Sequence, residues 1–135
     1  MNIAQVENIL SILSGVQISR IKDGKAMMTL LKDYASLRKI AKESADERNE
    51  IVLKFQADWK DELKEVAKSR ENNEPVKGHD AFLEAERVAN KALSDLLSAE
   101  VELSLKPVAI DAILGVSDIT LEQAAVLVDC GLAKM

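Results

Sequence analysis

KAMMTLLKDYASLRKIAKESADERNEIVLKFQADWKDELKEVAKSR, residues 25–70, is the stretch on which the fold turns. Its 46 positions contain neither proline nor glycine. They are rich in Ala, Leu, Lys, Glu and Arg, the residues that lose least on entering a helix. At about 1.5 Å of rise per residue, a continuous helix here runs for about 70 Å, more than twice the ~30 Å of a small domain. An element of that length must leave the body of the protein or pair with another long element.

The apolar residues of this stretch divide it. Met27, Leu30, Leu31, Tyr34, Leu37, Ile40 and Ala41 recur at helical spacing on one stripe. Residues 42–50 (KESADERNE) then offer only Ala45, so the helix is expected to be exposed on most sides there. Ile51, Val52, Phe55, Trp59, Leu63 and Val66 resume the stripe. Two stripes separated by a polar waist imply two different packing partners.

The second partner follows in the chain. Residues 71–79 (ENNEPVKGH) crowd two asparagines, a proline and a glycine into a reversal. Asp80 is placed to cap a second helix over 80–100, on which Phe82, Ala85, Ala89, Leu93, Leu96 and Ala99 share one face. The small residues Ala85, Ala89 and Ala92 allow close helix approach. The expectation is an antiparallel hairpin of helices 25–70 and 80–100. In it Phe55 and Trp59 pack on Phe82 and Ala85 or offer a contact surface to a partner.

The flanks form the other end. Asn2 and Gln5 make a capping box for a helix over 3–14, with Gly15 expected as its left-handed cap. Residues 16–21 (VQISRI) read as a short strand closed by the turn Lys22-Asp23-Gly24. Residues 101–105 (VELSL) alternate cleanly and read as its partner strand. Pro107 ends that strand, and residues 108–114 allow one or two helical turns. Thr120 and Gln123 form a second capping box for a helix over 121–129, closed by Gly131. The fold class is therefore mostly α with a small β component. A single domain, 1–135, is expected: a base (1–41 and 101–135) carrying a projecting hairpin (42–100). A two-stranded sheet leaves its edges open, which predicts a homo-oligomer formed by strand pairing or by bundling of hairpins.

Composition narrows the function classes. The chain carries a net charge of −5 with pI near 5.0, which argues against a nucleic-acid partner. The charge is uneven: residues 22–77 hold 13 basic against 12 acidic side chains, and residues 78–135 hold 4 against 10. One cysteine, Cys130, excludes an internal disulfide and fits a reducing compartment. No signal peptide and no run long enough to span a bilayer is visible, so a cytoplasmic protein without membrane contact is expected.

No constellation of catalytic chemistry stands out. His79, the only histidine, falls in the polar turn and is expected to be solvated, and Cys130 reads as a buried thiol on an apolar helix face. The carboxylate pairs Asp46/Glu50 and Asp58/Glu62 lie among lysines and arginines, and no phosphate-binding glycine loop is present. No catalytic residue, cofactor or metal site is assigned, and the expectation is not an enzyme.

Gly24-Lys25-Ala26, residues 47–53 (ERNEIVL), Phe82-Leu83-Glu84 and residues 100–103 (EVEL) occur in an order that resembles a family of small tailed-phage and prophage proteins of unknown function. The likeness extends over about residues 6–130. The layout is also similar to prefoldin, a chaperone whose subunits set a helical hairpin on a β-stranded base. With the phage setting that the resemblance implies, the projecting hairpin, the open strand edges and the absence of a chemical constellation lead to the expectation of a non-enzymatic phage accessory protein in the host cytoplasm, acting by protein–protein contact in a chaperone-like role or in virion assembly. The alternative is an oligomeric protein that sequesters a small ligand or blocks a host defence protein. Its site would be a pocket between subunits lined by a basic patch of Arg20, Lys22, Lys25 and Arg38 at the base.

Overall fold

Two capping boxes set the outer helices of the computed structural model, which describes residues 1–76 and 78–135. Asn2 accepts from the Gln5 amide at 2.9 Å and Gln5 returns a bond to the Asn2 amide at 2.8 Å, opening α1 (Ile3–Leu13). Thr120 and Gln123 do the same at 3.2 and 2.9 Å for α6 (Leu121–Asp129). Between them lie α2 (Gly24–Asp58), α3 (Lys60–Glu71), α4 (Asp80–Ser98) and the short α5 (Ile110–Leu114). Asp80, expected as the cap of α4, is instead its first residue, and the Leu83 amide bonds the His79 carbonyl at 2.9 Å.

The chain packs as two units: residues 1–43 with 98–135, and residues 44–97. The first closes around Val6, Ile9 and Leu13 of α1, Leu30 and Leu37 of α2, and Leu127 of α6. Its sheet is a parallel pair, β1 (Val108–Ala109) with β2 (Ala133–Lys134), in the register Val108↔Ala133 and Ala109↔Lys134. Parallel strands need a crossover, and α5 and α6 supply it. The turn into β2 is a Schellman motif. Gly131, at φ 86°, lets the Leu132 amide reach the Leu127 carbonyl and its own amide reach that of Val128, both at 3.1 Å.

Both strands expected from the sequence are replaced. Over 16–21, Val16 makes one antiparallel bridge to Ser117, and Ile18–Arg20 is a single 3-10 turn. Residues 101–105 keep the expected alternation: Val101, Leu103 and Leu105 pack on the core while Glu102 and Ser104 are exposed. Among the described residues no strand runs beside them. Their backbone is tied at single points, from the Val101 amide to the Met1 carbonyl at 2.9 Å and from the Lys106 amide to Asp33 Oδ1 at 3.2 Å. Alternation reports that a segment has two faces; a ladder also needs a neighbouring strand. Residues 108–109, expected to open a helix, form β1 instead. Gly15 lies outside the left-handed region, where the α1 cap is Ser14 in a right-handed conformation.

The second unit holds the end of α2, α3 and α4. The expected unbroken helix over 25–70 is interrupted at Trp59 (φ −123°, ψ 29°). Neither proline nor glycine causes the break. It falls at the aromatic pair, where Phe55 and Trp59 both close on Phe82 of α4, and the i→i−4 bonds Trp59→Phe55 (3.0 Å) and Leu63→Trp59 (2.9 Å) persist through it. Asn73, at φ 56°, ends α3 in a second Schellman motif, with Glu74 bonded to the Ser69 carbonyl at 2.8 Å. Within the unit Arg70 forks onto Glu86 at 2.8 and 3.1 Å, joining α3 to α4.

Candidate functional site

The end of α2 and the facing side of α4 enclose an open groove of about 640 Å³ within the second unit. Ile51, Phe55 and Trp59 follow each other at four-residue intervals and line one wall. Ala81, Ala85 and Ala89, at the same interval on α4, line the other and keep the groove wide because they carry only a methyl group. Phe82 forms the wedge between the walls. Its ring centroid lies 5.4 Å from that of Phe55, tilted by 46°, and 5.9 Å from that of Trp59, nearly edge-on at 77°. Phe82 is buried, whereas Val88 on the groove lip is 54% exposed. Charges stand only at the rim, in Lys54, Asp58 and Glu84. Glu84 is paired with Arg87 at 2.6 Å, and that guanidinium draws its carboxyl below the usual range. The groove can take an apolar surface.

The four residues of the expected basic patch separate into two sets. Arg20 and Lys22 line a polar cavity of about 320 Å³ in the first unit, opposite Ser117 and Asp118. Arg20 also bonds Gln17 Oε1 at 2.9 Å. Lys25 and Arg38 do not line it. They are 13 positions apart on α2, or roughly 20 Å along its axis. Arg38 lies over the Tyr34 ring at 5.6 Å from its centroid.

Two residues differ from their sequence reading or escaped it. His79 is not a solvated loop residue: its side chain is 20% exposed and Nε2 stands 3.4 Å from Glu65 Oε2. Asp33 carried no signal that set it apart from its charged neighbours, yet it is 5% exposed and takes the inward place expected for Leu31, which faces out. Oδ1 accepts from the Lys106 amide, Oδ2 has no partner, and burial pushes the carboxyl up from its ordinary range. A cleft of about 490 Å³ between α1 and α6 contains Cys130. Its thiol donates to the Leu127 carbonyl at 3.3 Å, and burial raises its pKa, which keeps it protonated and poorly nucleophilic.

Among the described residues no group of three or more His, Cys, Asp or Glu is placed to hold a metal ion, and no helix is long and apolar enough to cross a membrane. The chain matches no protein-family model, no curated protein and no solved structure.

Proposed function

We propose that this chain acts through protein–protein contact, as a non-enzymatic accessory protein, with the groove between α2 and α4 as its docking surface. The observation that carries the reading is an apolar channel walled by Ile51, Phe55 and Trp59 that none of the described residues of its own unit fills. Uncovered apolar surface of this kind marks interaction sites on soluble proteins. Two facing helices are also the usual receptor for a third, which inserts apolar anchors at helical spacing. The occupant comes from another protein or from a second copy, by bundling of α2 and α4. The strands expected at 16–21 and 101–105 do not form, and the observed sheet is a pair of two-residue strands, so bundling of helices is the preferred route to an oligomer. The order of motifs that resembles tailed-phage proteins supports placing this activity among phage accessory factors in the host cytoplasm.

Val88→Arg puts a long cation on the groove lip without disturbing a buried side chain. Light scattering on the full chain, together with Trp59 emission in the presence of amphipathic helical peptides, tests the reading. A dimer or a peptide complex lost in the variant supports it. A monomer whose Trp59 emission no peptide changes overturns it.

The cavity that joins Arg20 and Lys22 favours a second reading, a binder of a small anionic ligand. A tight ligand raises the melting temperature by mass action. Thermal shift with inorganic phosphate and with nucleotides, on the natural chain and on Arg20→Ala, tests it. Equal melting curves with and without these anions remove it.

A further inference from the structure

Among the described residues, seventeen apolar side chains are buried, and only Val66 and Phe82 belong to the second unit. For a unit that runs over residues 44–97, this core is far thinner than the length calls for. Small units of this kind reach stability by associating. A partner that completes such a core has to be present whenever the chain is, and a second copy meets that condition.

The groove has the shape of one half of a two-fold contact. Ile51, Phe55 and Trp59 make its α2 wall bulky, while Ala81, Ala85 and Ala89 make its α4 wall shallow. A two-fold axis running along the groove exchanges the two walls, so the bulky wall of each copy rests on the shallow wall of the other. An axis running across the groove instead sets Phe55 and Trp59 of both copies against each other and leaves a void between the alanines. Close packing therefore selects the first arrangement.

The lips match in the same arrangement. Lys54 and Asp58 stand on the α2 lip, and Glu84, paired with Arg87, stands on the α4 lip. With Arg87 counted the rim carries no net charge, so it neither calls for a charged partner nor repels a copy of itself. The rings of Phe55 and Phe82 are 5.4 Å apart, which sets their near neighbours Lys54 and Glu84 within about one turn of the same level. Exchanging the walls then brings Lys54 of each copy beside Glu84 of the other, twice in the dimer. The area is in range as well. A face about 28 Å long, the length of α4, and two helices (about 20 Å) wide covers about 560 Å² before side-chain relief is counted, near the ~600 Å² per partner at which stable interfaces begin.

We infer that the groove is one half of a homodimer interface, in which a two-fold axis along it sets the end of α2 of each copy on α4 of the other. The inference rests on the proposed docking function and commits its occupant to a second copy of this chain. In the dimer Val88, 54% exposed on the lip, comes under cover, and Trp59 is sealed by the alanine wall of the other copy.

Trp59 is the only tryptophan, so its emission follows the interface directly. The full chain is examined by sedimentation equilibrium over a concentration series, with Trp59 emission read in parallel. The expected result is a monomer–dimer equilibrium in which emission moves to shorter wavelength as the dimer fills, and Val88→Arg gives a monomer. Lys54→Glu and Glu84→Lys change exposed side chains and leave the core untouched. Each alters two symmetric pairs and is expected to raise the dimer Kd about tenfold. The double variant Lys54→Glu/Glu84→Lys restores the pairs with their signs exchanged and returns the Kd close to that of the natural chain. A dimer that Val88→Arg leaves intact overturns the inference, as does a double variant that binds no tighter than either single one. A monomer at every concentration also overturns it. The docking reading then stands if amphipathic helical peptides change Trp59 emission, and falls with the inference if none does.

Discussion

The two units bury their apolar residues by different means. In residues 1–43 and 98–135, α1, the first part of α2, α5, α6 and the two strands meet from several directions, and Val6, Ile9, Leu30, Leu127 and Leu132 are sealed. In residues 44–97, helices lie side by side and seal only Val66 and Phe82, while Phe55, Trp59, Ala85 and Ala89 remain half-buried. Helices that meet along one seam each keep an uncovered flank. Elements that meet around a centre cover each other. The first unit is therefore complete as folded, and the second keeps apolar surface available for binding.

If the second unit depends on one wedge, removing that wedge should have the largest effect. Phe82→Ala deletes the ring that both Phe55 and Trp59 touch and is expected to cost about 3–5 kcal/mol. Hydrogen exchange should speed up across α3 and α4 while α1 and α6 keep their protection. Equal acceleration in α1 would show that the two units unfold together and would break the comparison. Leu127→Ala, in the closed core, is expected to cost about 2–5 kcal/mol, with the loss spread over α1, α6 and β2. Chemical denaturation checks both, and a negligible cost for Leu127→Ala would mean that the first unit is not the better-packed one.

A smaller effect belongs to the link between α6 and β2. Gly131 stands at φ 86°, where a Cβ is strained, although nothing lies within 4 Å of the place it would occupy. Gly131→Ala is therefore expected to cost about 1–2 kcal/mol through the backbone alone. Gly15→Ala, with no positive φ, should cost much less, since its nearest neighbour would be the Ile12 carbonyl at 3.5 Å. Similar losses at the two glycines would contradict this reading of the turn.

These contrasts show which features could be read from residues in order. Both capping boxes, α1 and α6 rest on local chemistry, since Asn2 bonds Gln5 and Thr120 bonds Gln123 three residues on; the reversal expected over 71–79 includes residue 77, which lies outside the described residues. The exposed waist was visible too: residues 42–50 are exposed except Ser44 and the half-buried Arg48. The inward positions there are polar and four apart, so the stripe continues through residue types that hydrophobic periodicity overlooks. The strands failed for a different reason. Val101, Leu103 and Leu105 alternate because one face meets the core, and no local signal tells whether a second strand lies alongside. The groove was half visible. The aromatic pair and the alanine face could be picked out, but the gap between them depends on how two distant segments approach.

Asp33 tests the closed unit at its one buried carboxyl and should give the smallest effect. It lies on α2 and accepts from the Lys106 amide, so it fastens the segment that leads to β1. Burial raises its pKa, which means that the folded state holds a proton more tightly than the unfolded chain. The sign follows from linkage. Where the folded state binds more protons, stability falls as pH rises, from the ordinary carboxylate range up through the raised value, and is recovered on acidification. Asp33→Asn keeps an acceptor for Lys106 and removes the titration. The variant should match the natural chain in mildly acid solution, exceed it slightly at neutral pH, and show a flatter stability–pH curve over that interval. Urea denaturation of both chains across the interval measures the difference. Parallel curves would mean that the unpartnered Oδ2 is solvated in solution, and that the first unit is less tightly closed over α2 than its packing indicates.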